Sequence, residues 1–203
     1  MNTRLQVEHP VTEQVTGIDL VHEQLRVACG EPLGYGQHDV RVRGHAIEYR
    51  VYAEDPAAGF TPTTGPLLAH RPPEIAGVRI DAGVAEGQQV TAAFDPMLAK
   101  LVVTGRDRTE ALALADRALA AYVLLGCRTN LAFLRRLNAH PAFVAGEIHT
   151  GFLDGHPEVA AEAAPDETTL LRLLAAAGAA SRGLRDAADA VPATHAAMGA
   201  WRN

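Results

Sequence analysis

Short segments of alternating apolar and polar residues, separated by glycine and proline, run from residue 45 to residue 104 and constrain the fold most. Candidate strands lie at 45–52, 67–71, 78–82, 89–94 and 98–104. A period of two places one set of side chains on the core face of a sheet, and regularly spaced turn signals are typical of antiparallel pairing. We therefore predict an α+β fold built on a mostly antiparallel sheet.

Helical periodicity flanks these candidate strands. Residues 18–29 carry apolar residues three and four apart, between a capping-box-like start at 16–19 and Gly30, a favoured helix-ending residue. Two later helices are predicted, the first capped by Asp107 or Thr109 and the second by Thr129. Their predicted inward residues are Ala111, Leu112, Ala115, Leu119 and Val123, before a stop at Gly126, and then Leu131, Leu134 and Leu137, before Pro141. Residues 167–180 are predicted as one more helix.

Residues 1–11 alternate in the same way and are predicted as an extended strand, because Pro10 disfavours helix at His9. On one face of that strand Arg4, Gln6 and Glu8 would stand about 6.5–7 Å apart. Such a row can hold a small oxyanion: arginine offers a bidentate fork, glutamine offers N–H donors, and glutamate can accept a proton. A solvated strand face with a cross-strand ion pair would explain the same alternation.

Composition excludes several classes of protein. The net charge of −6 and the scattered cations argue against a nucleic-acid partner. No apolar run reaches the roughly 18 residues of a membrane span, and no signal-peptide pattern is present, so a cytoplasmic protein without a membrane partner is expected. Cys29 and Cys127 are far apart and form no CxxC motif, which indicates neither a disulfide framework nor a zinc site.

The string from Met1 to Glu13, Met-Asn-Thr-Arg-Leu-Gln-Val-Glu-His-Pro-Val-Thr-Glu, closely resembles the signature of the biotin carboxylases of the ATP-grasp superfamily. The resemblance continues through Arg-Gly-His-Ala-Ile-Glu at 43–48, Asp-Pro-Met-Leu-Ala-Lys-Leu at 95–101 and Gly-Cys-Arg-Thr-Asn at 126–130. It covers about residues 1–154, in order and with almost unchanged spacing. A long string with several collinear motifs is far more specific than a single short motif.

The resemblance implies roles for the first residues of the chain. Arg4 falls at the family's catalytic arginine, and Glu8 falls at its general base. Bicarbonate would be bound by Arg4, Gln6 and Val7. Asn2 matches a ligand of one Mg²⁺ or Mn²⁺ ion. The implied cofactors and substrates are ATP, that metal ion, bicarbonate, and biotin carried on a separate carrier domain, since no Met-Lys-Met-type biotinylation turn occurs in this sequence.

Three further residues match family positions beyond the first motif. Arg50 matches the catalytic arginine that stabilises the enolate-like oxygen of biotin, and Val7 would also contact biotin. An ordinary strand salt bridge between Arg50 and Glu48 is the alternative. Arg79 and Asp95 resemble positions at the dimer contact of bacterial biotin carboxylases, with a surface ion pair as the alternative.

The mechanism that the resemblance implies begins with Glu8, which deprotonates bicarbonate so that it attacks the γ-phosphate of ATP and gives carboxyphosphate. Carboxyphosphate decomposes to CO₂ and phosphate, and the phosphate takes the N1 proton of biotin. Arg4 holds the anions throughout. Arg50 offsets the charge on the ureido oxygen, in the manner of an oxyanion hole.

Three segments are predicted from the resemblance. Residues 1–30 would be the C-terminal end of an ATP-grasp domain, 31–155 the biotin carboxylase C-terminal domain, and 156–203 an alanine-rich helical linker into a further domain. The family's N-terminal ATP-grasp portion would lie before Met1, and the sequence has no glycine-rich phosphate loop. We therefore expect the 203 residues alone not to carboxylate biotin.

The expected setting is the biotin-containing α subunit of an acyl-CoA carboxylase. Its partners would be the missing ATP-grasp portion, a biotin carboxyl carrier domain, a second copy of the full domain and a carboxyltransferase subunit. A truncated, non-catalytic dimerisation or interaction module is the alternative function. Another ATP-grasp ligase, such as a carbamoyl-phosphate-forming enzyme, is a further alternative, but the coincidence of Arg50 with Arg4 and Glu8 argues against it.

Overall fold

This computed structural model describes residues 1–162 and 166–189, in which two helices come first, a run of strands follows, and helices dominate the rest. The helices are α1 (His9–Thr16), α2 (Leu20–Ala28), α3 (Arg108–Ala121), α4 (Leu131–Ala139), α5 (Pro141–Ala145), α6 (Phe152–Gly155) and α7 (Glu167–Asp189). The strands are β1 (His45–Tyr52), β2 (Glu54–Asp55), β3 (Thr61–Pro62), β4 (Gly65–Pro66), β5 (Ala69–Arg71), β6 (Val78–Ala82), β7 (Gln89–Val90), β8 (Met97–Gly105) and β9 (Val123–Leu125). Each described strand pairing is antiparallel, which confirms the predicted fold class.

The central sheet has three strands in the order β1-β8-β6. Tyr49 of β1 and Ile80 of β6 both lie opposite Leu101 of β8. Because successive side chains point to opposite faces, Val51 and Leu101 are fully buried on the core face while the charged residues of the same strands lie on the other face. The strands predicted at 45–52, 78–82 and 98–104 are confirmed, so the sequence pattern predicted this sheet correctly.

Helices α3 and α4 cover the apolar face of the sheet. Asp107 begins α3 by accepting the N–H of Glu110 at 2.8 Å, as one of the two predicted caps. Small residues then let α3 approach the sheet closely, and Leu114 is buried between them. A Leu114→Ala substitution would leave a cavity here and cost about 2–5 kcal/mol. A buried hydrogen bond of 2.6 Å from the Tyr49 hydroxyl to Asn138 Oδ1 joins β1 to α4.

Several predicted boundaries differ from the structure. α2 is capped by Asp19, whose side chain accepts the N–H of His22, and not by Thr16. α3 ends at Ala121, so Val123 belongs to β9 and is 40% exposed instead of extending the buried stripe. The position before α4 is taken by Asn130, not Thr129. The segments predicted at 67–71 and 89–94 form only the short strands β5 and β7; β5 ends at Arg71, directly before Pro72, which cannot donate to a ladder, and β7 ends at Val90.

The predicted strand over residues 1–11 is wrong. Residues 1–8 contain no strand, and α1 begins at His9. The carbonyls of Gln6 and Glu8 accept the N–H groups of His9 and Val11, which closes a turn instead of a strand ladder. Pro10 lies in the first helical turn, where its missing N–H costs nothing. Arg4, Gln6 and Glu8 consequently do not share a strand face.

Residues 1–162 form one compact unit, and α7 belongs to a second one. The helix predicted at 167–180 is confirmed and continues to Asp189, and its start is capped by Asp166, which accepts the N–H of Thr169 at 2.7 Å. Residues 163–165 and 190–203, which include part of the predicted linker, lie outside the described residues. Within the described residues, no helix combines the length and apolar character needed to cross a membrane.

Candidate active site

An ion pair between Glu8 and Arg50 lies at the centre of the candidate site. Arg50 extends from the polar face of β1, and Glu8 immediately precedes α1. The Arg50 Nη2 atom is 2.7 Å from Glu8 Oε2, although the residues are 42 positions apart in sequence. Both side chains remain partly exposed. The structure therefore brings together two of the three residues predicted to be catalytic.

The third predicted catalytic residue, Arg4, lies in a separate local cluster. Its Nε donates to Asn2 Oδ1 at 3.1 Å, and Gln6 Nε2 donates to the backbone carbonyl of Asn2 at 3.4 Å. All three residues are exposed. Within the described part of the chain, no hydrogen bond or ion pair connects this cluster to Arg50. The predicted row of cation, amide and carboxylate is thus replaced by a turn that carries the same groups.

Lys100, which the sequence reasoning did not select, holds the backbone between these groups. Its Nζ donates to the Val7 carbonyl at 3.0 Å and lies 3.4 Å from Asp81 Oδ2. Lys100 is the single lysine of the chain, and its side chain is only 12% exposed. Val7, a predicted bicarbonate and biotin contact, is fixed through its carbonyl. The position of Lys100 on the polar face of β8, inside the 95–101 motif, was the signal that could have identified it.

Glu48 is a second residue of the site that the sequence pattern did not identify as a site residue. Its side chain is 4% exposed, and its Oε1 is 3.5 Å from Arg50 Nε. Its Oε2 is buried without a hydrogen-bond partner. Burial raises the pKa of Glu48, while the charges of Lys100 and Arg50 act in the opposite direction. Arg50 therefore lies between an exposed carboxylate and a buried, incompletely paired one.

Arg79 occupies a closed cluster on the same sheet face. It donates to Glu13 Oε2 at 2.7 Å and to both oxygens of Asp81 at 2.8 and 3.0 Å. These bonds, with Asp81 first, raise the pKa of Arg79. The other Glu13 oxygen accepts the N–H of Leu20 at 2.9 Å, so this carboxylate is fully engaged.

Asp95, the other residue predicted at a dimer contact, is exposed and accepts the N–H of Met97 at 2.8 Å. Arg79 and Asp95 form no ion pair with each other among the described residues. Arg79 forms ion pairs with Glu13 and Asp81 of its own chain. The dimer role of both residues stays a prediction.

An open cavity of 820 Å³ lies between the first residues of the chain, α1 and α2. Arg4, Gln6 and Glu8 line one part of it. Apolar side chains line the other part, namely those of Leu5, Leu20, Val27, Ala28 and Leu33. The cavity can accept a ligand with a small anionic end and an apolar or aromatic body, and Glu8 connects it to Arg50.

Asn2 alone does not make a magnesium site. Mg²⁺ is usually bound through one or two carboxylates together with substrate phosphates. The amide oxygen of Asn2 accepts a hydrogen bond from the cationic Arg4, and no carboxylate contacts Asn2 in the described residues. The residues present therefore do not fit the ion by themselves, and its coordination requires groups outside this local cluster.

Two family models match the chain. The model described as "Biotin carboxylase C-terminal domain" matches residues 48–155, and the model described as "Carbamoyl-phosphate synthase L chain, ATP binding domain" matches residues 1–35. The first covers more than half of the chain. The ATP-binding-domain model covers the site residues at the beginning of the chain together with α1 and α2. Arg50 falls within the range of the biotin carboxylase model.

Curated relatives match about three quarters of the chain. The biotin carboxylase of Halalkalibacterium halodurans is 49% identical over 159 residues, which are 78% of this chain and 35% of that protein. The mitochondrial propionyl-CoA carboxylase alpha chain of Homo sapiens is 49% identical over 161 residues, which are 78% of this chain and 22% of that protein. The chain thus spans between about a fifth and about a third of the length of these relatives.

A solved structure shows the same fold. The biotin carboxylase domain dimer of Hydrogenobacter thermophilus 2-oxoglutarate carboxylase, in complex with MgADP, ADP and bicarbonate, matches with a TM-score of 0.78 and 38% identity. The match covers 80% of this chain and 36% of that one. The family model, the curated relatives and the shared fold agree, and the chain belongs to the biotin carboxylase family.

Proposed function

We propose that this chain supplies the bicarbonate- and biotin-binding part of a biotin carboxylase, which carboxylates biotin at the expense of ATP within an acyl-CoA carboxylase. The observation that carries the proposal is the 2.7 Å contact between Glu8 and Arg50. These two residues come from separate motifs of the family and from separate elements of the fold. Their contact supports the proposal, because it would bring the base of the reaction beside the group that stabilises negative charge.

Glu8 is suited to remove the proton of bicarbonate. Its carboxylate is half exposed, lines the open cavity, and is held by Arg50 rather than buried. A general base must lie within hydrogen-bond reach of the proton that it accepts, and a carboxylate at the cavity wall meets that condition. Arg4 and Gln6 line the same wall and offer N–H donors to the oxygens of the anion.

Arg50 is suited to stabilise negative charge on the ureido oxygen of biotin. Its guanidinium has five N–H donors, and Glu8 and Glu48 engage it through Nη2 and Nε. Tyr52 also interacts with the guanidinium, and this contact together with those to Glu8 and Glu48 holds the Arg50 side chain in place beside the cavity wall. A fixed cation aimed at developing charge is the commonest large contribution to catalysis of this kind.

The proposal extends to the organisation of the whole enzyme. Residues 1–30 would complete an ATP-grasp domain, 31–155 would form the C-terminal domain of the carboxylase, and 156–203 would form a helical linker. ATP and its metal ion would be held mainly by the N-terminal portion of the grasp domain. The carboxylated biotin would belong to a carrier domain that serves a carboxyltransferase subunit. Arg79 and Asp95 would lie near a contact with a second copy.

We also propose that the 203 residues do not turn over alone, because they correspond to only 22–35% of the length of the two relatives. Carboxylation of free biotin with ATP and bicarbonate can be measured for the chain alone and for a chimera. In the chimera, residues 1–155 replace the matching segment of the Bacillus subtilis biotin carboxylase, a 49% identical relative. Turnover is expected from the chimera only.

Two variants of the chimera test the residue roles. Glu8→Gln and Arg50→Gln are expected to lower turnover at least about 100-fold. Arg106→Gln is the matched control, since Arg106 is an exposed arginine paired with Glu110 at 2.9 Å, at the start of α3 and away from the candidate site. Full turnover by Arg50→Gln would contradict the proposed role of Arg50. Turnover by the chain alone would contradict the proposed need for further residues, and an inactive chimera that still folds and dimerises would favour a non-catalytic module.

A further inference from the structure

A second group of ligand-forming side chains lies away from the candidate active site, where α4, α5 and α6 meet. His140 connects α4 to α5, and His156 and Glu158 lie in and beside the short 3₁₀ turn at Pro157–Val159. One ligand atom from each of the three side chains lies within 4.8 Å of the other two. The cysteine spacing predicted no zinc site, and this cluster uses no cysteine.

The distances from Glu158 to the two histidines suit a shared ion better than direct hydrogen bonds. Glu158 Oε1 is 3.4 Å from His140 Nε2 and 3.4 Å from His156 Nδ1. Normal N–H···O hydrogen bonds measure about 2.7–3.2 Å, so both contacts are long. Ligands at about 2.0–2.1 Å from a tetrahedral Zn²⁺ ion stand roughly 3.3–3.5 Å apart. Both distances from Glu158 to the histidines fall in that interval.

Packing holds the two imidazole rings in place. Phe152 is buried and contacts the His140 ring edge-to-face at 5.5 Å and the His156 ring at 4.7 Å. The two imidazoles are themselves 4.4 Å apart. Arg136 of α4 donates to the carbonyl of Val159 at 2.9 Å, which fixes the turn that carries His156 and Glu158. Ligands held this way lose little conformational entropy when an ion binds.

We propose that His140, His156 and Glu158 form a binding site for a divalent transition-metal ion, with Zn²⁺ as the best match. Two imidazole nitrogens and one carboxylate are a ligand set that zinc uses when a water occupies the fourth position. The side-chain exposures of 17%, 34% and 62% form a gradient from His140 to Glu158, so the ion can enter from solvent. Bound there, it would tie the end of α4 to the turn after α6.

One feature limits the affinity of this site. His140 Nδ1 is buried and has no hydrogen-bond partner. When Nε2 binds a metal ion, Nδ1 must carry the proton, and metal-binding histidines ordinarily donate that N–H to an acceptor. Loss of such an acceptor weakens metal binding about 10–100-fold. The site is therefore expected to bind zinc reversibly, as a site that exchanges its ion, rather than as a structural zinc centre.

Zinc binding by the full 203-residue chain can be measured by competition with a chromophoric chelator. The wild-type chain is expected to bind one Zn²⁺ at this site, and His156→Gln and Glu158→Gln are each expected to lose at least tenfold in affinity. Glu158 is exposed, so Glu158→Gln keeps the fold even where loss of the His156 ring disturbs the packing on Phe152. Co²⁺ in place of Zn²⁺ is expected to give the intense visible absorption of a tetrahedral complex.

The matched control is His38→Gln. His38 Nε2 lies 3.4 Å from Asp39 Oδ1, the same spacing as in the cluster, but the pair is exposed and has no third ligand among the described residues. This variant is expected to bind Zn²⁺ as the wild type does. Wild-type affinity in either His156→Gln or Glu158→Gln would overturn the three-ligand site, as would the absence of one-to-one binding or a six-coordinate Co²⁺ spectrum.

Discussion

Two arginines on the same face of the central sheet reach back to the beginning of the chain, and they do so in different ways. Arg79 of β6 binds Glu13 in α1, and Arg50 of β1 binds Glu8 just before α1, both at 2.7 Å. Glu13 is 8% exposed, whereas Glu8 is 53% exposed. We call the Arg79–Glu13 pair the closed contact, because its carboxylate is buried, and the Arg50–Glu8 pair the open contact, because its carboxylate is exposed to solvent.

The two contacts differ in how many of their donor and acceptor atoms are already hydrogen-bonded. Arg79 makes three short hydrogen bonds, and both oxygens of Glu13 are occupied. Arg50 makes one short and one long contact with carboxylates and also interacts with Tyr52, while the buried oxygen Oε2 of Glu48 has no partner. Saturated ion pairs stabilise a fold, while unsaturated ones keep donors and acceptors for a ligand. The same sheet therefore carries a structural contact at one edge and a candidate catalytic contact at the other.

The largest expected effect is on turnover at the open contact. Arg50→Leu in the chimera should lower biotin carboxylation about 100- to 1000-fold, because a fixed cation at developing negative charge is lost. Its free energy of unfolding should fall by only about 1 kcal/mol, because the exposed pair with Glu8 contributes little and the buried Glu48, which loses Arg50, keeps the charge of Lys100 nearby. Steady-state kinetics and urea unfolding of the same variant measure both quantities. A large stability loss with normal kinetics would reverse the assignment of the two contacts.

The next effect is on stability at the closed contact. Arg79→Leu leaves Glu13 buried without its cation and should lower the free energy of unfolding by about 2 kcal/mol. Breaking a fully buried pair costs about 3–5 kcal/mol, and the partial exposure of Arg79 reduces that figure. Urea unfolding of the 203-residue chain measures the change. Arg71→Leu, which breaks the exposed pair with Glu86, is the control and should have little effect; equal losses in both variants would show that the Arg79 cluster is not closed.

The sheet that carries both arginines was predictable because the alternation of apolar and polar residues in each strand indicates which side chains are buried. In β1, Tyr49 and Val51 alternate with Glu48 and Arg50, and the structure buries the first two on the core face. Long-range pairing then follows from the alternation and from the turns between strands. The family resemblance supplied the expectation that Glu8 and Arg50 act together, and spacing alone could not have supplied it.

The first eleven residues were not predictable in the same way. Alternation of polar and apolar residues is also compatible with an irregular segment when no neighbouring strand offers a ladder. What fixes residues 1–8 is long-range: Lys100 binds the Val7 carbonyl from 93 positions away. Pro10 gave a second misleading signal, because it disfavours helix before it yet fits the first turn of α1.

Lys100 lies between the two contacts, and its removal should affect both moderately. Lys100→Met keeps the length of the side chain but removes the donor to Val7 and the charge near Asp81. We expect a loss of about 1 kcal/mol in the free energy of unfolding, since one hydrogen bond is lost while Asp81 keeps Arg79. Amide hydrogen exchange should become faster at His9 and Val11, whose N–H groups close the turn over Val7. Unchanged exchange there would show that Lys100 does not hold this segment.

The smallest expected effect is a change in how stability depends on pH at the open contact. Burial raises the pKa of Glu48 in the folded chain, so its contribution to stability is present at low pH and is lost as pH rises through that raised pKa. Glu48→Gln keeps polar atoms of the same shape but cannot ionise. Thermal unfolding should therefore show that this variant gains stability relative to the wild type as pH rises above the ordinary pKa of a glutamate, because only the wild type must then ionise a buried carboxyl.

Glu86→Gln is the matched control for that comparison, because its sign is opposite. The Arg71 side chain, which donates to Glu86, lowers the pKa of this exposed carboxyl. A lowered pKa contributes stability above the unfolded pKa and loses it as pH falls, so Glu86→Gln should lose stability relative to the wild type over the same rise in pH. Parallel pH profiles for the two variants would contradict the view that Glu48 is a buried carboxyl held in an incompletely paired state beside Arg50. Opposite slopes would support it, because burial opposes ionisation of Glu48 while the cation favours ionisation of Glu86.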